Sequence, residues 1–445
     1  MFILAGTACL IFGSRRFLHD WLHVWFALPR ITRWGLAALL LLGILSSLNA
    51  LAVRYALLEM SVFVMLFVWA IAVAGCYRKF PQLATILILG TVLLCTFFYS
   101  IKFFTSYLIY LFVEGALLWP AGDMVLGFSH VRFFNQIQTW TIPLLILAIW
   151  LLPPKYIVLK WCLSGLASIW WMLVFAADAR GTIIASSFAI FSIAVLYRKQ
   201  AFSWVYLQIV TSVSGFFLYL LLFRIPSGEA GSGLIRYGGT GRLNMWSNAE
   251  SLIRQDPVLG VGPMHYGYFE NQFAFAHPHN AYLQFAAEWG MFSFLILFMI
   301  ILYGYYALFR QNHDVCKKEQ GGVAMVVRTG ITASLLAAAV HASVSGIIVM
   351  PMSQMYMALI PGWALGIYFL DKKNTSMVLP KYSEWLLRLL LLCAIIFMVW
   401  GTSKDVLTLN KDQETYREEH NPQRFAPRFW HQGLIEWNEE KSVKQ

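Results

Sequence analysis

Apolar runs long enough to cross a lipid bilayer recur along this chain of 445 residues. A helix needs about 20 apolar residues to cross the hydrocarbon core. Runs of roughly that length, bounded by charge or by Gly and Pro, predict spans at Trp34–Val53, Ala56–Gly75, Leu83–Phe104, Thr139–Leu152, Ile157–Ala177, Gly181–Tyr197, Ser203–Phe223, Gly290–Leu308, Val323–Ser345, Gln354–Leu370 and Trp385–Trp400. The run Met1–Phe12 predicts a short or partly inserted segment, because it lacks the charged start and cleavage site of a signal peptide. The sequence therefore predicts an all-α polytopic integral membrane protein with about eleven or twelve transmembrane helices.

The composition agrees with a membrane-embedded chain. Hydrophobic residues make up 59% of the sequence, charged residues only 12%, and the mean hydropathy is +0.64. Soluble domains carry about 25% charged residues, so a water-soluble fold of this composition would expose large apolar areas. The net charge of +11 does not indicate nucleic-acid binding, because the basic residues form no tract and accompany no recognisable module.

Short basic groups separate the apolar runs and predict the orientation of the chain. Loops rich in Lys and Arg remain on the cytoplasmic side of a membrane. This rule assigns to the cytoplasm the linkers 13–33, 76–81, 153–156, 198–202, 309–320 and 371–382. The alternate segments then face outward, namely 105–138, 178–181, 224–289, 347–352 and the tail from residue 401.

The orientation predicts four parts of the chain. These are N-terminal membrane helices (1–223), an outward-facing catalytic loop (224–289), C-terminal membrane helices (290–400) and a polar, outward-facing tail (401–445), which is either a small helical appendage or largely disordered. The six cysteines form no CxxC motif, so neither a disulfide framework nor a structural zinc site is indicated. No internal repeat suggests the inverted-repeat design of many transporters.

The long outward loop has a predicted substructure. A Gly-rich stretch at 226–233 indicates a flexible segment, and the apolar positions of 242–254 favour an amphipathic helix. Residues 256–263, with the sequence DPVLGVGP, indicate a turn and an extended segment. A helical run, Ala281–Trp289, then leads into the next span. A loop of this length is usually functional or disordered.

His279 is the candidate general base of the loop. Pro278 disfavours helix at His277, and Asn280 is a favourable N-cap residue. His279 is therefore expected at a water-facing turn beside a helix N-terminus, where backbone N–H groups attract anions and a histidine can accept a proton near neutral pH. Two alternatives stay open: the histidine merely closes the turn, or His277 and His279 bind a metal ion, although no third ligand is evident at a suitable spacing.

Three outward arginines predict an anionic substrate. Arg242 starts the amphipathic helix, Arg180 lies in a junction between two spans, and Arg132 stands among amides that include Gln138. Arginine binds phosphate oxygens through two parallel hydrogen bonds. The alternatives are a solvated or headgroup-facing Arg242 and an Arg180 that is simply paired with Asp178.

Aromatic residues of the loop form a second candidate group for substrate contact: Trp246, Tyr266, Tyr268 and Tyr282. Such rings can stack on sugars, but an aromatic belt at the membrane interface explains the same pattern.

Several motifs of the loop resemble those of the O-antigen ligase superfamily, which comprises O-antigen ligases, O-antigen polymerases and bacterial O-oligosaccharyltransferases. These motifs are Gly241-Arg242 with Trp246, the segment DPVLGVGP at 256–263, and HPHNAYLQ at 277–284 followed by Glu288-Trp-Gly290. Upstream, Phe134-Asn-Gln and Asp178-Ala-Arg180-Gly are similar to its recurring motifs. The resemblance covers roughly residues 120–370.

The resemblance implies a metal-independent inverting glycosyltransferase without a cofactor. Its active site would face the periplasm of a bacterial inner membrane, and its donor would be a glycan on undecaprenyl diphosphate. Arg180, Arg242 and His279 match the essential residues of the family, while Arg132, Gln138, Asn280 and Trp246 are expected to bind substrate. The acceptor would be lipid A–core for a ligase, which we favour, another lipid-linked repeat for a polymerase, or Ser and Thr of pilin-like proteins for a protein transferase.

A transporter or flippase of the same lipid-linked glycans is the rival from another class. It would need ionisable residues along a path through the helices. The candidates within the spans are few: Lys102, Arg328, His341, Arg388 and, nearer a boundary, Glu59. Because the polar residues concentrate in the outward loop, the sequence favours chemistry at the membrane surface.

Overall fold

All secondary structure in the described part of the chain is helical. The computed structural model describes residues 2–114, 128, 130–226, 241–269, 275–318, 322–370, 380–420, 428 and 435. The α-helices within these ranges are α1 (Phe2–Gly13), α2 (Arg15–Ala27), α3 (Arg30–Asn49), α4 (Val53–Lys79), α5 (Pro81–Ile109), α6 (Val131–Leu151), α7 (Ile157–Ala176), α8 (Arg180–Tyr197), α9 (Phe202–Tyr219), α10 (Arg242–Gln255), α11 (Ala281–Lys318), α12 (Val323–Ala342), α13 (Pro351–Leu370) and α14 (Lys381–His420).

The apolar runs fold into the predicted spans. Among the described residues, nine segments are long and apolar enough to cross a membrane. One of them, Arg180–Arg224, contains two predicted spans, which a 3-10 turn at Arg198–Ala201 separates. The predicted span Gln354–Leu370 is the 20-residue helix α13, which is not among the nine. The fold is that of an all-α polytopic membrane protein.

The N-terminal region agrees with the prediction at α1 and differs from it in the linker that follows. Helix α1 has 12 residues and is about 18 Å long, too short to cross a hydrocarbon core of about 30 Å. The predicted linker 13–33 contains the helix α2, in which one face is apolar and buried. On that face, Trp21 Nε1 donates a hydrogen bond to the Val68 carbonyl oxygen at 2.9 Å, so α2 packs on α4.

The predicted outward loop 105–138 was placed wrongly at both ends. Helix α5 reaches Ile109 and continues as a π-helical turn to Glu114. Helix α6 begins at Val131, eight residues before the predicted start of the span at Thr139. Residues 115–127 and 129 lie outside the described residues, as does the predicted flexible stretch from 227 onward.

The C-terminal tail begins as helix. Helix α14 continues past the predicted span to His420, so the first part of the polar tail is helical in the described structure. Arg428 and Ile435 follow as single described residues, and both are buried.

The chain forms two compact units. The first contains residues 1–78, 239–307 and 348–445, and the second contains 79–238 and 308–347. In the first unit, side chains of α1, α2, α4, α13 and α14 form an extended apolar core, which also includes Met264 and Ile435.

Helix α6 is the centre of the second unit. Its residues from Phe133 to Ile149 are all buried, and it packs against α5, α7, α8, α9 and α12. Its second half, from Ile142 to Ile149, is apolar on all sides, as expected of a helix in such a central position. Gly330 of α12 allows close contact, since a Cβ there would lie 2.8 Å from the Leu147 side chain of α6.

Candidate functional site

Helix α10 is the first element of the candidate site along the chain and belongs to the first unit. It spans Arg242–Gln255 and confirms the amphipathic helix predicted over 242–254. Its N-cap, Gly241, has φ +67°, a left-handed conformation that suits glycine. Met245, Ala249 and Leu252 form its buried face, while Arg242, at its first position, is half-buried.

The segment after α10 packs backbone to backbone on the first turns of α11. The N–H groups of Val261 and Gly262 donate to the carbonyl oxygens of Ala287 and Glu288 at 3.0 Å. The N–H of Met291 donates in turn to the Pro257 carbonyl oxygen at 2.9 Å. These bonds fix residues 257–262 against α11, so this part of the loop has a defined conformation.

Gly290 makes this close contact possible. It interrupts α11 with φ +81° and ψ +161°, a region that is almost restricted to glycine. A Cβ at Gly290 would lie 2.1 Å from the Val258 carbonyl oxygen. Its neighbour Trp289 packs against Gly43 of α3, where a Cβ would lie 2.4 Å from the indole ring. The Glu-Trp-Gly sequence therefore has a packing role in two of its three residues.

His279 lies in a tight turn that presents it at the start of α11. Its φ of +52° is unusual for a residue other than glycine. Its backbone N–H donates to Nδ1 of His277 at 3.2 Å, and the two imidazole ring centroids are 4.3 Å apart. Because Nδ1 of His277 accepts this bond, the proton of neutral His277 is on Nε2. The turn predicted from Pro278 and Asn280 is thus present.

The burial of His279 differs from the prediction. A water-facing turn was expected, but only 8% of His279 is exposed, and His277 is 1% exposed. The Phe275 ring, with its centroid 5.4 Å from that of His279, covers part of the imidazole. Phe275 precedes His279 by only four residues, but the predicted turn was argued from Pro278 and Asn280 alone and did not consider this ring.

Asn280 caps helix α11 as predicted. Its Oδ1 accepts hydrogen bonds from the N–H groups of Tyr282 at 3.0 Å and Leu283 at 3.1 Å. Two of the N–H groups expected to attract an anion are therefore engaged by the cap. The positive end of the helix dipole still lies beside His279.

Trp246 joins α10 to the histidine turn. Its Nε1 donates to the Pro278 carbonyl oxygen at 3.1 Å. Arg242 precedes Trp246 by four residues, so the two side chains are neighbours on the same face of α10. The helix that carries Arg242 is therefore hydrogen-bonded to the residue before His279.

His265 and Tyr266 are buried in the same unit and make hydrogen bonds to its backbone. His265 Nε2 accepts from the Ala52 N–H at 2.9 Å, and its Nδ1 lies 2.8 Å from the Pro263 carbonyl oxygen. Burial lowers the pKa of His265, partly offset by the Pro263 hydrogen bond and the Glu288 charge. Burial raises the pKa of Tyr266 to about 12, so its neutral hydroxyl donates to the Met245 carbonyl oxygen at 3.1 Å.

The structure contains a buried ionic cluster that the sequence analysis did not predict. Glu59 of α4 and Glu288 of α11 both contact the guanidinium of Arg428 from the C-terminal tail. Burial alone would lower the pKa of Arg428, but the Glu288 and Glu59 carboxylates more than offset it and raise that pKa. The sequence does contain a signal for this cluster: Glu59 and Glu288 are acidic residues within apolar helical segments, and a buried carboxylate is stable when it is paired with a cation.

Arg180 belongs to the second unit, at the first position of α8. Its Nε and Nη2 contact Oδ1 and Oδ2 of Asp178, each at 3.2 Å. The pairing that was left open as an alternative is therefore present. Both side chains are about half exposed, so the pair adds little to stability. Gly181 lies against His341, which a Cβ would approach to 2.9 Å.

Arg132 and Gln138 also belong to the second unit. Arg132 is exposed in the first turn of α6. Gln138, expected in a loop, is fully buried in that helix. Its Oε1 accepts from Asn135 Nδ2 and its Nε2 donates to the Trp170 carbonyl oxygen, both at 2.8 Å. The bond to Trp170 joins α6 to α7, and the two bonds together satisfy an amide inside a membrane helix.

Three of the five ionisable residues considered for a transport path make hydrogen bonds or ion pairs with neighbouring side chains. Arg328 donates to Asn312 Oδ1 at 3.0 Å, and His341 Nδ1 lies 2.7 Å from Thr139 Oγ1. Glu59 contacts Arg428. Within the described ranges, no group of three or more His, Cys, Asp or Glu side chains is placed to hold a metal ion.

The fold and this site define a polytopic α-helical membrane protein with a histidine- and arginine-bearing segment between its spans. Residues 164–298 match the family described as O-antigen ligase. This match confirms the resemblance to the O-antigen ligase superfamily, whose members are glycosyltransferase-like enzymes. It includes Arg180, Arg242, Trp246, His279 and Asn280. The comparison with curated proteins gave no significant match.

Proposed function

We propose that this protein is an O-antigen ligase, a metal-independent inverting glycosyltransferase that moves a glycan from undecaprenyl diphosphate to a hydroxyl group of lipid A–core. The active site faces the periplasm of a bacterial inner membrane. The observation that carries the proposal is the position of His279. It lies in a constrained turn, beside the capped N-terminus of α11, and is tied through Pro278 and Trp246 to the helix of Arg242.

His279 is the general base in this proposal. It takes the proton of the acceptor hydroxyl as the oxygen attacks the anomeric carbon from the face opposite the diphosphate. The bond between the anomeric carbon and the diphosphate oxygen breaks, and its electron pair leaves with the diphosphate. The product therefore has inverted configuration at that carbon. The low exposure of His279 supports transfer over hydrolysis, because an enclosed base limits access of water.

Arg242 and Arg180 bind the diphosphate and stabilise its growing negative charge. Arg242 stands on the helix that is bonded to the histidine turn. The half-exposed Arg180 keeps its guanidinium in a fixed plane through Asp178. Arg132, exposed at the start of α6, is a further contact for an anionic donor. Trp246 and Asn280 support the site and border the substrate, while Gln138 stabilises the helix that carries Arg132.

A comparison of glycoconjugates tests the function in cells. Cells lacking the protein receive the wild-type chain, His279→Ala or the matched control His313→Ala, whose imidazole is 64% exposed at the far end of α11. Wild type and control should restore polymer on lipopolysaccharide, whereas His279→Ala should leave polymer on its lipid carrier. Unchanged lipopolysaccharide with loss of glycan from a pilin-like protein would instead identify a protein O-oligosaccharyltransferase, and loss of long glycan chains with intact transfer an O-antigen polymerase.

A reconstituted reaction tests the residues. Purified protein, a defined lipid-linked donor and lipid A–core should give product, and Arg242→Lys should lower its rate, because a point charge does not replace a two-pronged guanidinium. Arg254→Lys is the matched control, since Arg254 lies on the same helix with its side chain 77% exposed. No product from the wild-type protein under varied conditions would refute the ligase function.

A further inference from the structure

Two residues of the C-terminal tail, Arg428 and Ile435, are buried against the histidine-bearing segment of the first unit. Arg428 and Ile435 are each only 2% exposed. The Ile435 N–H donates to the Gly267 carbonyl oxygen at 3.1 Å, and its side chain joins the apolar core that includes Met264. These contacts bring Arg428 and Ile435 to residues 264–288, which are at least 140 positions earlier in the sequence.

Arg428 connects three parts of the unit at once. Its Nη1 and Nη2 contact Oε1 and Oε2 of Glu288 at 2.5 and 2.7 Å, and its Nη2 also contacts Glu59. Its Nη1 lies 3.4 Å from the Ala276 carbonyl oxygen. With its amide oxygen facing the guanidinium, Gln284 accepts from Arg428 at 2.9 and 3.0 Å. A guanidinium carries five N–H donors in a fixed fork, whereas a lysine ammonium carries three, so arginine suits a site with this many acceptors.

Gly267 and Ala276, the two residues whose carbonyl oxygens the tail contacts, lie next to each other. A Cβ at Gly267 would lie 3.4 Å from Cα of Ala276, so the two backbones are in contact. Ile435 bonds to Gly267 at one end, and Arg428 reaches Ala276 at the other. Ile435 and Arg428 therefore hold Gly267 and Ala276 in place. The His277–Asn280 turn follows directly after Ala276.

Glu288 transmits the contact to the rest of the site. Its Oε1 accepts from the Tyr266 N–H at 3.0 Å, and its backbone carbonyl oxygen accepts from Gly262. Two buried carboxylates without a cation would repel each other, and removing one partner of a buried ion pair is strongly unfavourable. Arg428 thus fixes a carboxylate that organises residues 262–266 and the first turns of α11.

We propose that the C-terminal tail is a part of the catalytic site and that Arg428 is a positioning residue, which holds the turn of His279 through Ala276, Glu288 and Gln284. The inference rests on the proposed role of His279 as the base. It assigns a function to a residue that lies outside the matched segment 164–298, more than twenty residues after the last apolar span.

The test separates positioning from folding. The pair Arg428→Gln and Glu59→Gln keeps the net charge of the cluster, because one positive and one negative charge are removed together. We expect this double variant to fold with a lower thermal midpoint in detergent than wild type, because the Glu288 carboxylate stays buried without a cation, while kcat falls at least about tenfold and KM for the lipid-linked donor stays within about threefold. Arg428→Lys should have an intermediate kcat, since an ammonium group cannot bridge both carboxylates. Arg254→Gln is the control for loss of an exposed arginine.

Hydrogen–deuterium exchange of residues 275–284 gives a readout independent of transfer, and exchange should be faster in the double variant than in wild type. A stable double variant with wild-type kcat and unchanged exchange would overturn the proposal. Loss of folded protein in both Arg428→Lys and the double variant would also overturn it, because Arg428 would then be purely structural. An active His279→Ala enzyme in the same assay would instead refute the proposed base, and the exchange result would still decide whether Arg428 holds the turn.

Discussion

The indole Nε1 of Trp246 donates a hydrogen bond to the carbonyl oxygen of Pro278, 3.1 Å away. This bond links α10 to the turn of His279 across 32 positions of sequence. Trp246 was expected to contact substrate as an aromatic surface. Its nitrogen has a structural partner, so part of its function is to place the histidine relative to the helix of Arg242.

Trp246→Phe should therefore slow transfer while the protein stays folded. The substitution keeps an aromatic ring but removes the donor, and one such hydrogen bond is worth about 1 kcal/mol. If that energy is lost from the transition state alone, kcat falls about fivefold. The measurement is the single-turnover rate of transfer, with Trp385→Phe as the control, since Trp385 is 73% exposed on α14. Equal rates for both variants would show that the Trp246 hydrogen bond does not contribute.

Gly290→Ala should destabilise the first unit severely. The residue has φ +81° and ψ +161°, and a Cβ would lie 2.1 Å from the Val258 carbonyl oxygen. Such a conformation costs a residue with a side chain roughly 1–3 kcal/mol before the clash is counted. We expect little monodisperse protein after detergent extraction and a lower thermal midpoint for what remains.

Gly304→Ala on the same helix is the matched control for this prediction. A Cβ there meets nothing within 4 Å, and alanine favours helix by about 1 kcal/mol over glycine. Its yield should equal or exceed that of wild type. Similar yields for Gly290→Ala and Gly304→Ala would contradict the close packing of residues 257–262 on α11.

Local patterns in the sequence predicted the elements of the site well. The amphipathic helix at 242–254, the Asn280 cap and the helical run from Ala281 are all present. Each of these depends on residues within a few positions of one another. For the same reason the apolar runs predicted the spans, because a membrane helix satisfies its backbone hydrogen bonds internally.

Contacts between residues that are far apart in sequence could not be predicted from local patterns. Arg428 is 140 positions from Glu288 and 369 from Glu59, so no local spacing links them. Gln138 looked like a loop residue because it is polar, but its partner is the backbone of Trp170 in another helix.

Asn280→Ala should weaken the start of α11 beside the catalytic histidine. Loss of an N-cap side chain typically costs about 1 kcal/mol, and here two N–H groups, of Tyr282 and Leu283, lose their acceptor. Amide exchange at these two positions should become faster, and the transfer rate should fall severalfold. Asn280→Asp keeps the acceptor oxygen and should stay close to wild type in exchange. Identical exchange in the two variants would rule out capping as the role of Asn280.

His265 should make the stability of the protein depend on pH between about 8 and 5. Its Nε2 accepts from the Ala52 N–H, so protonation there would break a buried hydrogen bond. Burial lowers the pKa of His265 in the folded state, whereas the unfolded chain takes up a proton near the ordinary value of about 6.5. The unfolded state therefore binds more protons as pH falls through about 6.5, and stability decreases by at most about 1.4 kcal/mol per pH unit from this group.

Thermal midpoints of the wild type and of His265→Gln, measured in the same detergent from pH 8 to 5, isolate this contribution. Glutamine does not titrate, and its carbonyl oxygen can accept from the Ala52 N–H. The other titrating groups are common to both proteins, so the difference between the two midpoints reports on His265 alone. Wild type should be the more stable protein at pH 8, and its advantage should shrink as pH falls below about 6.5. Parallel curves across this range would show that His265 titrates in the folded protein as it does in the unfolded chain.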